Sequence, residues 1–337
     1  MRILERLDQL YGIGGGPGAN RPHGSPEEDA AHVLAAGWME EAGLDVMVDP
    51  DGNLVGRASE RVDVWVGSHL DTVPHGGRFD GALGVVAGIE AVERAGTGSV
   101  VAFRGEEVGC IGSRALVARG DALPAAFLEL HIEQGPVLAD ADAPLGVVTS
   151  IVGYARGELV FDGRAGHAGT TPMSARDDAL VTAAEAILGI RDSARGIEGA
   201  VATVGQLTVE PGGSNVIPAR VRISVDARAP DGARLEELID AIGVEPVHRT
   251  PPAPMAEGLR RVLLEEMERR GLPAIELPSG AGHDAGILAA AGVESAMLFV
   301  RSLNGGVSHS PDELSSEEDI ALAVEVLTAA LGRLASA

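Results

Sequence analysis

The sequence contains no lysine, and acidic residues greatly outnumber basic ones. Its 26 basic residues, all arginine, and its 50 acidic residues give a formal net charge of −24 at pH 7. Nucleic acids and anionic membrane surfaces are bound mainly through basic patches, so this balance argues against both as partners. It does not exclude a small anionic substrate, because one buried arginine can act locally.

Cysteine, aromatic residues and long apolar runs are also scarce. Cys110 is the single cysteine, which excludes an intrachain disulfide and fits a reducing compartment. Aromatics make up 3% of a chain that is 45% hydrophobic, so the core must consist mainly of Ala, Val, Leu and Ile. We find neither an apolar leader region nor an unbroken apolar run of about 18 residues, and therefore expect a soluble cytoplasmic protein.

Short apolar strand patterns alternate with helical ones along most of the chain, which has room for two domains at 337 residues. This alternation predicts an α/β fold in which a sheet is flanked by helices. From about Val148 a β-α-β-β-α pattern replaces it, and the alternation resumes after a proline-rich segment. We therefore expect a discontinuous larger domain, 1–149 and 255–337, with a small domain, 150–254, inserted into it.

Local signals indicate where some elements begin and end. Residues 11–24 form a glycine-rich loop without the spacing of a dinucleotide fingerprint. Ser25, Pro26 and Glu28 form a capping-box pattern that predicts the start of a helix. Gly43 predicts the end of the same helix, because glycine readily takes the left-handed conformation found there.

Apolar and helical patterns also predict the bounds of individual elements. In the larger domain we expect strands over Val62–Val66, Ser99–Phe103 and Ala125–Leu130. In the inserted domain we expect a helix over Ala175–Ile190 and a strand over Val201–Val209.

Side chains that can bind metal or transfer protons follow several predicted strands. Aspartate is depleted in strands, so ending buried strands with histidine and carboxylate calls for a reason. Imidazole and carboxylate ligands together suit zinc, manganese, cobalt or nickel, and ligands in α/β sheets bind beyond the carboxyl ends of strands. The set therefore predicts a site for two metal ions. Its members are His69, Asp71, Asp80, Glu106, Glu107, His131 and His309.

Several of these residues also have structural alternatives. Asp71, two residues after His69, could accept the second imidazole N–H of a metal-bound His69, or it could cap a turn. One of Glu106 and Glu107 could bind metal while the other accepts a proton from the metal-bound water, or both could lie in a solvated acidic loop. Cys110 has no evident activating base nearby in the sequence, so we expect no nucleophile there.

The chain resembles the hydantoinase/carbamoylase amidase family of dimetal amidohydrolases. That family includes N-carbamoyl-L-amino-acid hydrolases, β-ureidopropionase and allantoate amidohydrolases, and it is related to dizinc aminoacylases and carboxypeptidases. The resemblance covers nearly the whole chain, and HIEQGPVL and HAGTTPM are specific to this branch. The matching segments are GSHLDTVPHGGRFDG (67–81), GEEVG (105–109), LELHIEQGPVL (128–138), GHAGTTPM (166–173), GGSNVIPARV (212–221), DAR (226–228), SGAGHDA (279–285) and GGVSHSPDE (305–313).

The resemblance implies a dimetal-peptidase-like catalytic domain with a mixed sheet flanked by helices. It also implies an inserted ferredoxin-like α+β domain that acts as lid and dimerisation domain in a homodimer. Two divalent ions per subunit are implied, with zinc favoured over manganese, cobalt or nickel. Asp80 would bridge the ions. The implied metal ligands are His69, Asp80, Glu107, His131 and His309.

The resemblance further implies catalytic and substrate-binding roles. Glu106 would be the general base, Asp71 would orient His69, and His167 would polarise the scissile carbonyl in its own or the partner subunit's site. Without the resemblance, Arg228 would be read as a surface residue, and His167 has the alternative of being an ordinary loop histidine. An arginine fork suits a substrate carboxylate. The implied substrate-binding residues are Gln134, Asn215, Arg228 and Gly282.

The activity implied by the resemblance is hydrolysis of a C–N bond in an N-carbamoyl-L-amino acid or a related ureido compound such as allantoate. A metal-activated water would attack, and the substrate would be a small ureido or amide molecule that carries a carboxylate. One alternative is a dipeptidase or aminoacylase on the same scaffold, and another is a non-catalytic metal-binding relative. The segment between Glu107 and His131 is shorter than the family pattern implies, which leaves the substrate open.

Overall fold

The structure is a computed structural model that describes residues 2–58, 60–120 and 123–336. Its chain divides into two compact units, and the second, Ser150–Ala253, interrupts the first. Within the described ranges, no helix is both long and apolar enough to cross a membrane.

The strands and helices have the following bounds. The strands are β1 (Asp45–Val48), β2 (Leu54–Arg57), β3 (Glu60–His69), β4 (Thr97–Phe103), β5 (Ala126–Ile132), β6 (Leu145–Ile151), β7 (Gly153–Asp162), β8 (Gly166–His167), β9 (Val201–Thr203), β10 (Leu207–Glu210), β11 (Val216–Ile217), β12 (Arg220–Ala229), β13 (Pro246–Thr250), β14 (Ala253–Pro254), β15 (Glu276–Ser279) and β16 (Glu294–Val300). The helices are α1 (Arg2–Tyr11), α2 (Pro26–Glu41), α3 (Ala82–Ala95), α4 (Ile111–Arg119), α5 (Val137–Asp140), α6 (Ala179–Gly196), α7 (Gly232–Ile242), α8 (Glu257–Glu268), α9 (Asp284–Ala290) and α10 (Glu317–Ala335).

A mixed sheet forms the centre of the first unit. Among the described residues it contains nine strands, in the order β1-β2-β4-β3-β5-β16-β6-β14, with β15 paired to β6. The central strands β4, β3, β5 and β16 are parallel, whereas β2 and β6 flank them in antiparallel pairing. The carboxyl ends of the parallel strands therefore meet at one edge of the sheet, which is where ligands bind in such folds.

Helices α3 and α10 cover the sheet of the first unit. Every residue of α3 from Ala82 to Val92 is buried, because the helix packs against β3, β4 and β5 on one side and against α10 and α1 on others. The core here is built from Ala, Val, Leu and Ile with few aromatic rings, as the composition predicts. Because α3 is packed on several sides, its first turn is held in place. The loop that leads into this turn, which contains Asp80, is positioned with it.

The capping pattern before α2 is confirmed with one variation. The Ser25 hydroxyl accepts a hydrogen bond from the Glu28 backbone N–H at 3.2 Å, so Ser25 is the N-cap as predicted. The Glu28 carboxylate reaches back to the N–H of Gly24 at 2.7 Å rather than to that of Ser25. The backbone turns at Gly43, with φ +75°, just after the helix ends.

In the second unit, an antiparallel sheet in the order β10-β12-β7-β13, with β9 also paired to β12, packs against α6 and α7. Its core joins small helix residues to the inward side chains of β12, among them Ala183, Val221, Ile223 and Leu235. The short strands β8 and β11 pair with each other. Strand β13, which follows α7 and pairs with β7, was not part of the predicted β-α-β-β-α pattern.

Several predicted bounds are wrong. The strand expected over Val62–Val66 continues to His69, because β3 keeps its ladder with β4 through the polar residues. The helix expected from Ala175 begins at Ala179, where the Asp178 side chain caps it. The strand expected over Val201–Val209 is broken into β9 and β10.

Candidate metal centre and active site

Five predicted metal ligands lie together at the carboxyl edge of the first unit's sheet. Parallel strands place them there: His69 ends β3, His131 lies near the end of β5, and Glu107 follows β4. Asp80 lies in the loop that leads into α3, and His309 lies in the loop between β16 and α10. Residues far apart in the sequence thus meet because the strands that carry them are neighbours.

One set of ligand atoms, the first cation group, consists of His69, Asp80 and His131, whose ligand atoms all lie within 4.8 Å of one another. The Nε2 atoms of His69 and His131 are 3.6 Å and 3.2 Å from Oδ1 of Asp80. Among the described residues, neither Nε2 atom has a hydrogen-bond partner in good geometry, although both are buried. Buried polar atoms without partners are costly, and a cation bound between them would satisfy both.

The second cation group consists of Asp80, Glu107 and His309. Nε2 of His309 is 3.3 Å from Oδ2 of Asp80 and 3.4 Å from Oε2 of Glu107. Asp80 belongs to both groups and turns a different oxygen toward each. The donor set of imidazoles and carboxylates fits divalent cations such as zinc or manganese.

Asp71 contacts both His69 and the loop after β4. Nδ1 of His69 is 3.1 Å from the Asp71 backbone oxygen and 3.3 Å from its carboxylate. The two carboxylate oxygens accept hydrogen bonds from the backbone N–H groups of Glu106 and Glu107, each at 3.1 Å. Burial alone would raise the pKa of Asp71, but the bonds from His69 and from this loop hold it below its usual value. Asp71 can therefore fix the His69 ring and the glutamate loop together.

Gly81 makes room for the His69 ring. Its φ is +63°, in the left-handed region, and a Cβ added there would overlap the imidazole. Only glycine meets both conditions without strain.

Glu106 lies beside the two cation groups without belonging to either. Its carboxylate oxygens are 3.7 Å from Nε2 of His69 and 3.9 Å from Nδ1 of His283. The side chains of Glu106 and Glu107 are each only 9% exposed, so they do not form a solvated acidic loop. Burial raises the pKa of Glu106 well above its usual range; Asp284 and Glu107 add to this effect, and His69 opposes it. A carboxyl group with a raised pKa accepts a proton more readily than an ordinary glutamate does, which suits a general base.

A third buried cluster of possible ligand atoms includes His131. One of its members, Glu129, was not predicted from the sequence. Glu129, His131 and His283 have ligand atoms close enough to hold a cation. However, the Glu129 carboxylate already accepts hydrogen bonds from Ser68 at 2.8 Å and from the Ala285 N–H at 2.9 Å. Its position two residues before His131 on β5 was the available signal, since such residues share a strand face.

The Asp284 side chain, in the first turn of α9, does not cap that helix. The N-cap position is occupied by His283, and the Asp284 carboxylate instead accepts a hydrogen bond from Ser113 at 2.6 Å. Burial, with the charge of Glu129 nearby, raises the pKa of Asp284 to about 8.

Gln134 and Gly282, two predicted substrate-binding residues, are in the first unit. The backbone of Gln134 has φ +57°, and its amide donates to Oδ2 of Asp80 at 2.9 Å and to the Ser308 hydroxyl at 3.0 Å. A non-glycine residue in this conformation is uncommon and often marks a functional site. At Gly282 an added Cβ would meet no atom within 4 Å.

His167 and Asn215 belong to the second unit and are neighbours there. His167 pairs with Val216 across β8 and β11, and the Asn215 carbonyl accepts from the N–H of Ala168 at 3.0 Å. Nδ1 of His167 accepts hydrogen bonds from the N–H groups of Gly169 and Thr170 at 3.0 Å and 3.2 Å. A neutral His167 ring therefore carries its proton on Nε2, which can donate outward.

Arg228 lies on β12 of the second unit and is held by a carboxylate. Its guanidinium donates to both oxygens of Asp226, at 2.8 Å and 3.2 Å, and Arg156 from β7 donates to the same carboxylate at 2.7 Å. The fork is thus oriented by protein contacts. Arg176 donates to the carbonyls of Ala168 and Thr171 and so holds the loop after His167.

Comparison with known proteins places this arrangement in a family. Residues 65–333, which include the whole predicted ligand set, match Peptidase family M20/M25/M40. The chain belongs to this family. The fold described above is accordingly an M20-type α/β fold with a mixed sheet, and the family together with the two cation groups supports the use of divalent metal.

Close relatives of this M20 chain are amidohydrolases. It is 38% identical to an N-carbamoyl-L-amino acid amidohydrolase of Geobacillus stearothermophilus, covering 99% of this chain and 98% of that protein. It is 32% identical to an allantoate amidohydrolase of Bacillus subtilis, covering 98% and 96%. The Geobacillus alignment runs over 403 residues and this chain has 337, so that relative carries segments which this chain lacks.

A solved structure agrees. An amidase of the hydantoinase/carbamoylase family from Burkholderia multivorans is 31% identical and superposes with a TM-score of 0.91, covering 100% of this chain and 98% of that one. The resemblance inferred from the motifs is therefore confirmed at the level of the M20 family and of its hydantoinase/carbamoylase branch.

Proposed function

We propose that this protein is a metal-dependent amidohydrolase that cleaves a C–N bond of an N-carbamoyl-L-amino acid or a related ureido compound such as allantoate. The observation that carries the proposal is the shared carboxylate of Asp80 between two histidine-bearing cation groups, with a third carboxylate, Glu106, close by and outside both. The named activities of its relatives support the ureido substrate class.

The proposed cofactor is a pair of divalent ions per subunit, with zinc favoured and manganese, cobalt or nickel as alternatives. His69, Asp80 and His131 would hold one ion, and Asp80, Glu107 and His309 the other. Such ions, when bound, acidify water and polarise a carbonyl oxygen.

Glu106 is the proposed general base and acid. Its carboxylate takes a proton from the attacking water and then passes it to the leaving nitrogen, so that no free proton is released during attack. For an N-carbamoyl amino acid, one water and one substrate give the free amino acid, ammonia and carbon dioxide. Asp71 is the proposed orienting residue, because it contacts His69 and both N–H groups of the Glu106–Glu107 loop.

The second unit is the proposed lid and dimerisation domain, with a ferredoxin-like α+β fold, in a cytoplasmic homodimer. His167 would polarise the scissile carbonyl by donating a hydrogen bond from Nε2 to its oxygen, in its own or the partner subunit's site. Asn215 and Arg228 would bind the substrate carboxylate, and Gln134 and Gly282 would line the substrate site. The support for Arg228 is its fork geometry, which Asp226 already fixes.

A substrate panel on metal-reconstituted protein tests the proposal. It compares N-carbamoyl-L-amino acids, ureidopropionate and allantoate with a dipeptide and an N-acetyl amino acid. We expect kcat/KM to be highest for a ureido compound. If the dipeptide or the N-acetyl amino acid is the best substrate, the protein is instead a dipeptidase or aminoacylase on the same scaffold.

A further inference from the structure

The loop between β16 and α10 contains a buried carboxylate, Glu313, which belongs to neither cation group. It is 5% exposed. One carboxylate oxygen accepts hydrogen bonds from the backbone N–H groups of Phe79 at 2.6 Å and of Asp80 at 3.1 Å. Glu313 therefore holds the main chain of the shared ligand Asp80 from a loop that lies far away in the sequence.

The other carboxylate oxygen of Glu313 holds its own loop. It accepts a hydrogen bond from the Ser308 hydroxyl at 3.0 Å, and Ser308 directly precedes His309 in the chain. The His309 backbone has φ +53°, an uncommon conformation for a residue with a side chain. Glu313 thus ties the loop that carries His309 to the loop that carries Asp80.

Gln134 completes the same network from a third segment. Its amide donates one hydrogen bond to Oδ2 of Asp80 and another to the Ser308 hydroxyl. The Ser308 hydroxyl then has its own proton to donate, and the Glu313 carboxylate at 3.0 Å is a nearer acceptor than Oδ2 of Asp80 at 3.3 Å. Each donor and acceptor in this chain of contacts has a partner, which favours one fixed arrangement.

Glu313 can reach the Phe79–Asp80 backbone only because residue 77 is a glycine. A Cβ added at Gly77 would overlap the Glu313 carboxylate. The two residues are therefore matched: a glycine opens the space, and a buried carboxylate fills it and binds the next turn of backbone.

We propose that Glu313 is a positioning residue for the second cation group, because it fixes the distance between the Asp80 carboxylate and the His309 imidazole. The inference rests on the proposed two-cation site. Glu313 touches neither reacting atoms nor cation in this account, and it acts through Asp80 and His309. Loss of such supporting contacts typically lowers metal affinity by about 10- to 100-fold.

The test is titration calorimetry of chelator-treated protein with Zn²⁺, with Co²⁺ absorption spectra as a second readout. In Glu313→Ala, which leaves two backbone N–H groups without their acceptor, we expect one of two binding events to weaken by about 10- to 100-fold. The other event should weaken by much less, because that group shares Asp80 but not His309. Glu313→Gln should restore affinity, because one amide oxygen can accept both N–H bonds and the amide can donate to Ser308. Ser308→Ala, which orphans no backbone group, should weaken the same event.

Asp49→Ala is the matched control. Asp49 also accepts two backbone N–H bonds, from Asp51 and Asn53 at 2.9 Å each, but it contacts no predicted ligand. It should lower thermal stability without changing either binding event. The proposal is overturned if Glu313→Ala retains both affinities, if it weakens both equally, or if Glu313→Gln behaves like Glu313→Ala. Wild-type protein that binds no cation would instead refute the proposed function together with this inference.

Discussion

The two carboxylate oxygens of Asp80 face different ligand atoms. Oδ1 lies nearest His131 and His69, whereas Oδ2 lies near His309. At the scale of single residues, this division makes Asp80 the candidate bridge and leaves Glu106 outside both groups as a proton carrier. The two kinds of carboxylate should therefore respond differently to substitution.

Replacing Glu106 by Gln should separate binding from turnover. The amide keeps the shape of the side chain but cannot take a proton, so we expect kcat to fall by about 10²- to 10⁴-fold while cation affinity stays near the wild-type value. Steady-state kinetics and calorimetry on the same preparation measure both. Glu5→Gln, on an exposed residue of α1, is the control and should change neither. Near-normal turnover in Glu106→Gln would remove this residue from the mechanism.

Replacing Gly81 by Ala should damage the first cation group. Both Gly81 and Gly96 have positive φ, +63° and +69°, so alanine costs each about 1–2 kcal/mol of backbone strain. Only at Gly81 would the new Cβ overlap the His69 ring, since at Gly96 it meets no atom within 4 Å. We expect both variants to lose stability in urea unfolding and only Gly81→Ala to lose cation affinity. Equal affinities in the two variants would show that Gly81 does not position His69.

At the scale of elements, β7 and β12 of the second unit are joined by a charged pair. Asp226 is opposite Arg156 in the register, and it also binds Arg228 on its own strand. Burial alone would raise the pKa of Asp226, but these two arginines outweigh burial and lower it. The ionised form is thus favoured by folding.

This pairing predicts a pH dependence of stability. Because the folded pKa is depressed, the contribution is present above the ordinary Asp pKa of 3.8 and is lost as pH falls through the lower folded value. In urea unfolding from pH 7 down to pH 3, the stability difference between wild type and Asp226→Asn should shrink on acidification. A difference that does not change with pH would contradict the assignment.

The sequence predicted the elements better than their ends. Apolar runs indicated β3, β4 and β5, but β3 and β5 continue through His69 and His131 because ladder hydrogen bonds, rather than hydrophobicity, decide where a strand stops. Helices α1 and α4 were not predicted. The ligands could be inferred because histidine and carboxylate recur at strand ends. Glu129 and Glu313 could not, since their partners are backbone and side-chain groups remote in the sequence.

At the scale of the whole molecule, the ligand set belongs to the first unit, whereas His167, Asn215 and Arg228 belong to the second. The residues proposed for metal binding and those proposed to bind the substrate carboxylate therefore belong to units that have separate hydrophobic cores. This division agrees with the proposed roles of the two sets, in which the ligands of the first unit hold the metal and His167, Asn215 and Arg228 bind the substrate.

The most direct test follows ammonia release from an N-carbamoyl-L-amino acid while chelator-treated protein is titrated with Zn²⁺ or Mn²⁺. The account predicts no release before cation is added and a rate that saturates at two equivalents per chain, because Asp80 serves both cation groups. Full turnover in the chelator-treated protein, or saturation at one equivalent, would contradict it.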